Sequence, residues 1–152
     1  MDSKKKNIST QSKDWDKSYY LGIDIIDQQH GIFFKLFDEL NKLNQENDPF
    51  DKLKDVIFEL EKYTDLHFET EEAFLVQSNY PSLDLHLIQH QVFKRKIEEF
   101  KIAETYRNSV LIDQMIVFMR KWFLMHIAEV DRKYVEDVKK FLDEKSSDNT
   151  FN

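Results

Sequence analysis

Five histidines and two carboxylates are spaced so that they could bind metal. His67 and Glu71 stand at i and i+4, as do His86 and His90. Side chains so spaced leave one helix face about one turn apart, so each pair can converge on a common centre. His126 and Asp131 are five apart, which puts them roughly 140° apart around a regular helix. The helix must therefore end or bend between them if Asp131 is to swing back toward His126. His30 stands alone. One histidine on an apolar stripe is more often a core residue with a satisfied hydrogen bond than a ligand. Five of them, each needing desolvation and a partner, would be a costly core where leucine or phenylalanine serves better. A shared metal site accounts for them, because imidazole nitrogen is a standard metal ligand. With no cysteine in the chain, such a metal must be held by nitrogen and oxygen. Seven candidate ligands are too many for one ion and suit two. If Glu71 and Asp131 both bridge, these side chains and a single-atom oxygen bridge fall one bond short of two octahedra, so one position stays open to a small exogenous ligand.

The elements that must position these residues can be read from apolar periodicity. Four segments carry apolar residues alternately three and four apart, the spacing of one helix face. They run through Ile26, His30, Phe33, Phe37 and Leu40; through Leu53, Val56, Leu60, Tyr63, His67, Glu71 and Phe74; through His86, His90, Phe93, Ile97 and Phe100; and through Ile112, Met115, Met119, Trp122 and His126. Every histidine lies on one of these stripes. Between them stand short turn segments. Asn47-Asp48-Pro49 predicts an Asp48 N-cap with proline at the first helical position, and Asn79-Tyr80-Pro81-Ser82 and Asn108-Ser109 mark the other two breaks. Connections this short make sequential helices antiparallel neighbours. The expected fold is all-α, an up-down-up-down antiparallel four-helix bundle with an N-terminal arm (Trp15, Tyr19, Tyr20, Leu21) and a short C-terminal helix through Tyr134, Val138 and Phe141. The expected organisation is a flexible tail over 1–14, a bundle domain over 15–143 and a disordered tail over 144–152.

Composition narrows the field. The chain has 152 residues, one domain's worth, with only 2 glycines and 2 prolines. So few turn formers cannot serve a fold of many short strands. A net charge of -7 argues against a nucleic-acid partner, since phosphate binding needs a positive surface. Met1 to Asp16 carries Lys4, Lys5, Lys6 and Lys13 without the apolar stretch of a secretory leader, and it reads as a solvated tail. The apolar run from Met115 to Ala128 is interrupted by Arg120, Lys121 and His126 and is too short to span a bilayer. The expectation is a soluble, cytoplasmic protein with no membrane partner.

The set His30, His67-x-x-x-Glu71, His86-x-x-x-His90, His126-x-x-x-x-Asp131 resembles the complete metal-binding pattern of the hemerythrin family, in particular its bacterial members. The likeness covers nearly the whole chain, about Trp15 to about Asp131. Flanking residues agree with it: Gly22-Ile23-Asp24, Asp27-x-Gln29-His30, His67-Phe68-x-x-Glu71-Glu72, and Tyr80-Pro81 ahead of His86. The resemblance implies a non-haem centre of two iron ions with an oxo or hydroxo bridge. It gives one iron His86, His90 and His126, the other His30 and His67, with Glu71 and Asp131 bridging and the two-histidine iron open. The activity it implies is reversible dioxygen binding for carriage, storage or sensing, with azide and other small anions as analogues, and no catalysis.

A reversible oxygen site needs an apolar wall against water and anions. Phe33, Phe68 and Leu124 are the candidates for this oxygen pocket, although ordinary core packing is the commoner role for a phenylalanine here. Glu72 lies off the His67 stripe and is expected in solvent. Ligating imidazoles need a partner for the second ring nitrogen, for which Asp27, Gln29 and Tyr63 are candidates. Of the competing readings, a zinc protease fails because Leu87 stands where a general-base glutamate is needed. Ferritin-like di-iron proteins use Glu-x-x-His and more carboxylates than histidines. A di-iron redox enzyme handling peroxide or nitric oxide, or an iron-supplying protein, is the alternative, though the chain offers no cysteine pair or extra domain as an electron route. A sensor would need a separate protein partner.

Overall fold

The structure is a computed structural model and describes residues 19–149. The expected tail over 1–14, and Trp15 of the arm, lie outside the described residues. Four helices form the bundle: α1 (Asp24–Leu43), α2 (Phe50–Gln77), α3 (Leu83–Glu104) and α4 (Leu111–Met125). Each packs on two neighbours, α1 on α2 and α4, and α3 on α2 and α4. No strand occurs among the described residues. The apolar stripes meet along the bundle axis, with Ile26, Leu40, Leu53, Leu60, Leu75, Met115 and Met119 fully enclosed. No helix is long and apolar enough to cross a membrane.

The bundle's ends follow from local chemistry. Ahead of α1, Leu21 is buried and Tyr19 packs its ring against Phe34 at 5.8 Å, while Tyr20 is exposed. Gly22 turns the chain at φ +80, a conformation that side chains rarely adopt. The Asp27 carboxylate fixes that turn by accepting from the backbone N–H groups of Leu21 (2.8 Å) and Gly22 (3.0 Å). Asp27 is thus committed to the arm and does not serve an imidazole. The start of α2 differs from expectation. The helix opens at Phe50, Pro49 precedes it and its carbonyl accepts from Leu53 N–H at 2.8 Å, and Asp48 makes no capping bond. Buried Pro49 already holds helical angles, so its own carbonyl closes the first turn. α2 ends in a Schellman motif. Asn79 takes the left-handed position (φ 55), and the N–H groups of Tyr80 and Asn79 return to the carbonyls of Leu75 and Val76.

After α4 the chain stays helical but changes pitch. His126–Val130 forms a π-helical turn, Asp131–Tyr134 a 3₁₀ turn, and α5 (Val135–Asn149) follows without a break. Tyr134 and Val138 are buried where this run packs back on the bundle. α5 continues through Asn149, beyond the end expected at 143. Elongating a formed helix fixes one residue per added hydrogen bond and needs no new nucleus, so polar residues can extend it.

Candidate metal centre

Three helices, α1, α2 and α3, and the π and 3₁₀ turns after α4 deliver the seven residues to one place, all of them 3% exposed or less. They fall into two groups whose potential ligand atoms lie within 4.8 Å of one another: Glu71, His86, His90 and His126, and His30, His67, Glu71 and Asp131. Glu71 belongs to both. Its Oε1 meets His86 Nε2 and lies 2.9 Å from His90 Nε2, while Oε2 is 3.4 Å from His67 Nε2. Asp131 is divided likewise, Oδ1 standing 3.0 Å from His126 Nε2 and 3.4 Å from His86 Nε2, and Oδ2 3.4 Å from His30 Nε2. Each carboxylate therefore turns one oxygen to a three-histidine side and the other to a two-histidine side.

The five-residue gap between His126 and Asp131 is bridged by the π turn. Its i→i+5 bonding makes five residues about one turn, which returns Asp131 to the face of His126. This is the bend that the spacing requires.

Hydrogen bonds to Nδ1 aim three of the imidazoles. His67 Nδ1 lies 2.8 Å from Gln29 Oε1, His90 Nδ1 2.9 Å from Glu72 Oε1, and His126 Nδ1 3.0 Å from Gln89 Oε1. Gln29 is itself held, its amide N–H donating to Thr70 Oγ at 3.1 Å. With Nδ1 as donor, each Nε2 points into the cluster as the atom that a metal would take. Glu72 is consequently not a solvated bystander. The α2 stripe places Glu71 inward, and Glu72, one residue on, reaches the outer edge of His90. Tyr63 does not bond an imidazole; its ring lies parallel to His67 at 5.5 Å. The sequence reading did not single out Gln89 or Tyr134. The Tyr134 hydroxyl donates to Glu71 Oε2 at 3.0 Å, and Gln89, next to His90 in sequence, serves His126 across the helix interface instead.

The electrostatics are those of a cation site. Burial pulls His67 down to about 4, against the pull of Glu71, so it is neutral and able to donate its lone pair. Burial also disfavours charge on His126, but Asp131 and Glu71 outweigh it and raise this histidine to about 9. Burial works against the charge on Glu71, yet the His126, His86 and His90 imidazoles that face it hold it well below the usual carboxylate range. The enclosed carboxylates thus demand a positive charge. The Nε2 atoms of His30, His90 and His126 and both oxygens of Asp131 are buried with no hydrogen-bond partner. Such groups are costly to leave unsatisfied, and metal ions between them would satisfy all five. The nitrogen and carboxylate donors suit iron.

Aromatic rings lie against both sides of the centre. Phe123 sets its ring edge-on to His30 at 5.5 Å and stacks on Phe33, and all three are buried. Phe68 lies parallel to His90 at 3.7 Å and 5.8 Å from His67. Leu124 is half-buried in a crevice shared with Phe33, Phe34, Phe37, Arg120 and Phe123. Phe123, one residue before Leu124, is not among the sequence candidates, because beside the stripe residue Trp122 it reads as ordinary apolar packing.

A family model described as the hemerythrin HHE cation binding domain matches residues 21–138. The chain belongs to the hemerythrin family. It is 36% identical over 126 residues to the bacteriohemerythrin of Clostridium acetobutylicum, covering 80% of this chain and 98% of that protein. Bacteriohemerythrins of Stenotrophomonas maltophilia (28% identical, 86% and 84% covered) and Campylobacter jejuni (29% identical, 74% and 85% covered) are also similar. No solved structure matches the chain. As a hemerythrin the protein binds oxygen and is not an enzyme, and its buried histidine and carboxylate cluster can hold metal.

Proposed function

We propose that this hemerythrin binds dioxygen reversibly at two iron ions joined by Glu71, Asp131 and an oxo or hydroxo bridge. His86, His90 and His126 complete one iron, and His30 and His67 the other. The observation that carries this reading is the division of both carboxylates between a three-histidine and a two-histidine side, which leaves the latter a ligand short. The iron pair would supply the electrons and the vacant position that dioxygen requires. The protein supplies the rest. Gln29, Glu72 and Gln89 hold the imidazole tautomers, and Tyr134 orients Glu71. Phe33, Phe68 and Phe123, with Leu124 at their margin, keep water from the open side, so that bound oxygen leaves as oxygen. We assign the bundle to one domain, and the cytoplasm as its place of work.

Iron analysis and an optical spectrum of the reduced protein before and after air test this directly. About two irons per chain and a charge-transfer band that air induces and deoxygenation reverses are expected. One metal per chain, or oxidation without reversal, would overturn the proposal. His67→Ala should lose iron from the two-histidine side first, since that iron then keeps His30 as its single imidazole. Equal retention of both ions would contradict the assignment.

A further inference from the structure

A surface groove of ≈ 660 Å³ runs beside the three-histidine side, between α3 and the continuous run of α4 and the π turn, a size suited to a small organic ligand. Trp122 lines it and connects it to the interior. The half-buried indole faces the groove while lying on the His126 imidazole, ring centroids 4.2 Å and planes 12° apart. His126 and its tether Gln89 line the same groove, so its wall is continuous with the outer edge of the centre. The groove is amphipathic. Val92 and Met125, 48% and 52% exposed, flank the indole. At the rim stand Lys121 and Lys133 against one carboxylate, Glu129, and neither lysine makes an ion pair among the described residues. On a chain of net charge -7 this is a locally positive, aromatic surface.

We propose that this groove binds a planar aromatic electron carrier bearing an anionic group, of the flavin mononucleotide class, and that Trp122 carries its electrons to His126. The ring system would lie over Trp122, Val92 and Met125, and its phosphate would meet Lys121 and Lys133. The proposal rests on the di-iron reading above, and it supplies what an oxygen carrier needs, a way to restore the reduced state after autoxidation. The exchange balances: reduced flavin loses two electrons and two protons to become oxidised flavin, two ferric ions each take one electron, and the protons pass to solvent.

Binding can be tested without iron. In a Trp15→Phe background Trp122 is the sole tryptophan, and oxidised flavin mononucleotide should quench its fluorescence saturably in metal-free protein. Lys121→Glu with Lys133→Glu should weaken that binding about tenfold or more, and riboflavin, lacking the phosphate, should bind as weakly to the unaltered protein. In iron-loaded protein under nitrogen, reduced flavin mononucleotide should reduce the ferric form at a rate that saturates with its concentration. Both the double lysine variant and Trp122→Leu should slow this about tenfold, while reduction by dithionite, which needs no groove, stays the same and Trp122→Phe recovers part of the rate. Absence of saturable quenching, or lysine variants that bind flavin unchanged, would overturn the groove assignment even where iron content and the oxygen-dependent spectrum are intact. Failure of that spectrum with quenching preserved would count against the di-iron reading alone.

Discussion

Gln29 occupies one imidazole nitrogen so that the other can face the cluster, and its own amide is fixed by Thr70. Gln29→Leu keeps the volume and removes the acceptor. We expect iron on the two-histidine side to bind about 10- to 100-fold more weakly, measured by chelator competition, with little change in helix content. The aromatic wall offers a second test. Phe123 touches His30 and Phe33, whereas Leu124 sits half-buried at the margin. Phe123→Ala should therefore admit water and azide and raise the ratio of autoxidation to oxygen release, and Leu124→Ala should change it less. Truncating the buried ring also costs roughly 3–5 kcal/mol, so urea denaturation must accompany the kinetics. If the two variants autoxidise alike, the wall is not where these contacts put it.

The elements differ in how much freedom their residues leave. Gly22 is held at φ +80 in the turn before α1, and an added Cβ would sit 2.6 Å from Lys139 Nζ. The lysine end can move away, but the left-handed backbone cannot relax. Gly22→Ala should thus lower stability by about 1–2 kcal/mol. Gly31 lies inside α1, and a Cβ there meets nothing within 4 Å. Gly31→Ala should raise stability by roughly 0.5–1 kcal/mol through lost freedom in the unfolded chain. The two urea midpoints should move in opposite directions. A drop for both would mean that the space beside Gly31 is not open.

For the molecule as a whole, the buried histidines fix how metal-free stability follows pH. His67 is lowered from 6.5 to about 4, so below pH 6.5 the unfolded chain takes a proton that the fold refuses, and stability falls until about pH 4. His126 is raised from 6.5 to about 9, so its contribution is full below pH 6.5 and is lost as pH rises through 9. Each arm is worth on the order of 3 kcal/mol. Melting in chelator should peak near pH 6.5. With iron(II) in excess the alkaline arm should flatten, because a metal then holds the nitrogen that the proton held. An alkaline arm that persists with metal bound would place His126 outside the ligand set.

The sequence by itself determined the helices, their order and the seven residues that converge, because 3.6-residue periodicity and ligand spacing are local properties of the chain. It also contained the need for a bend between His126 and Asp131, since five residues of regular helix cannot bring them together. Tertiary structure decided what depends on other helices. Glu72 is off-stripe on α2, and only the approach of α3 gives it His90. Gln89 meets His126 across the α3–α4 interface, and Tyr134 reaches Glu71 because the run after α4 folds back on the bundle. Asp27 has the right distance in sequence to serve an imidazole, yet the N–H groups of Leu21 and Gly22 claim both its oxygens. Periodicity states which face a side chain occupies. Which partner it meets there depends on packing between helices, and one residue's numbering beside a ligand does not encode it.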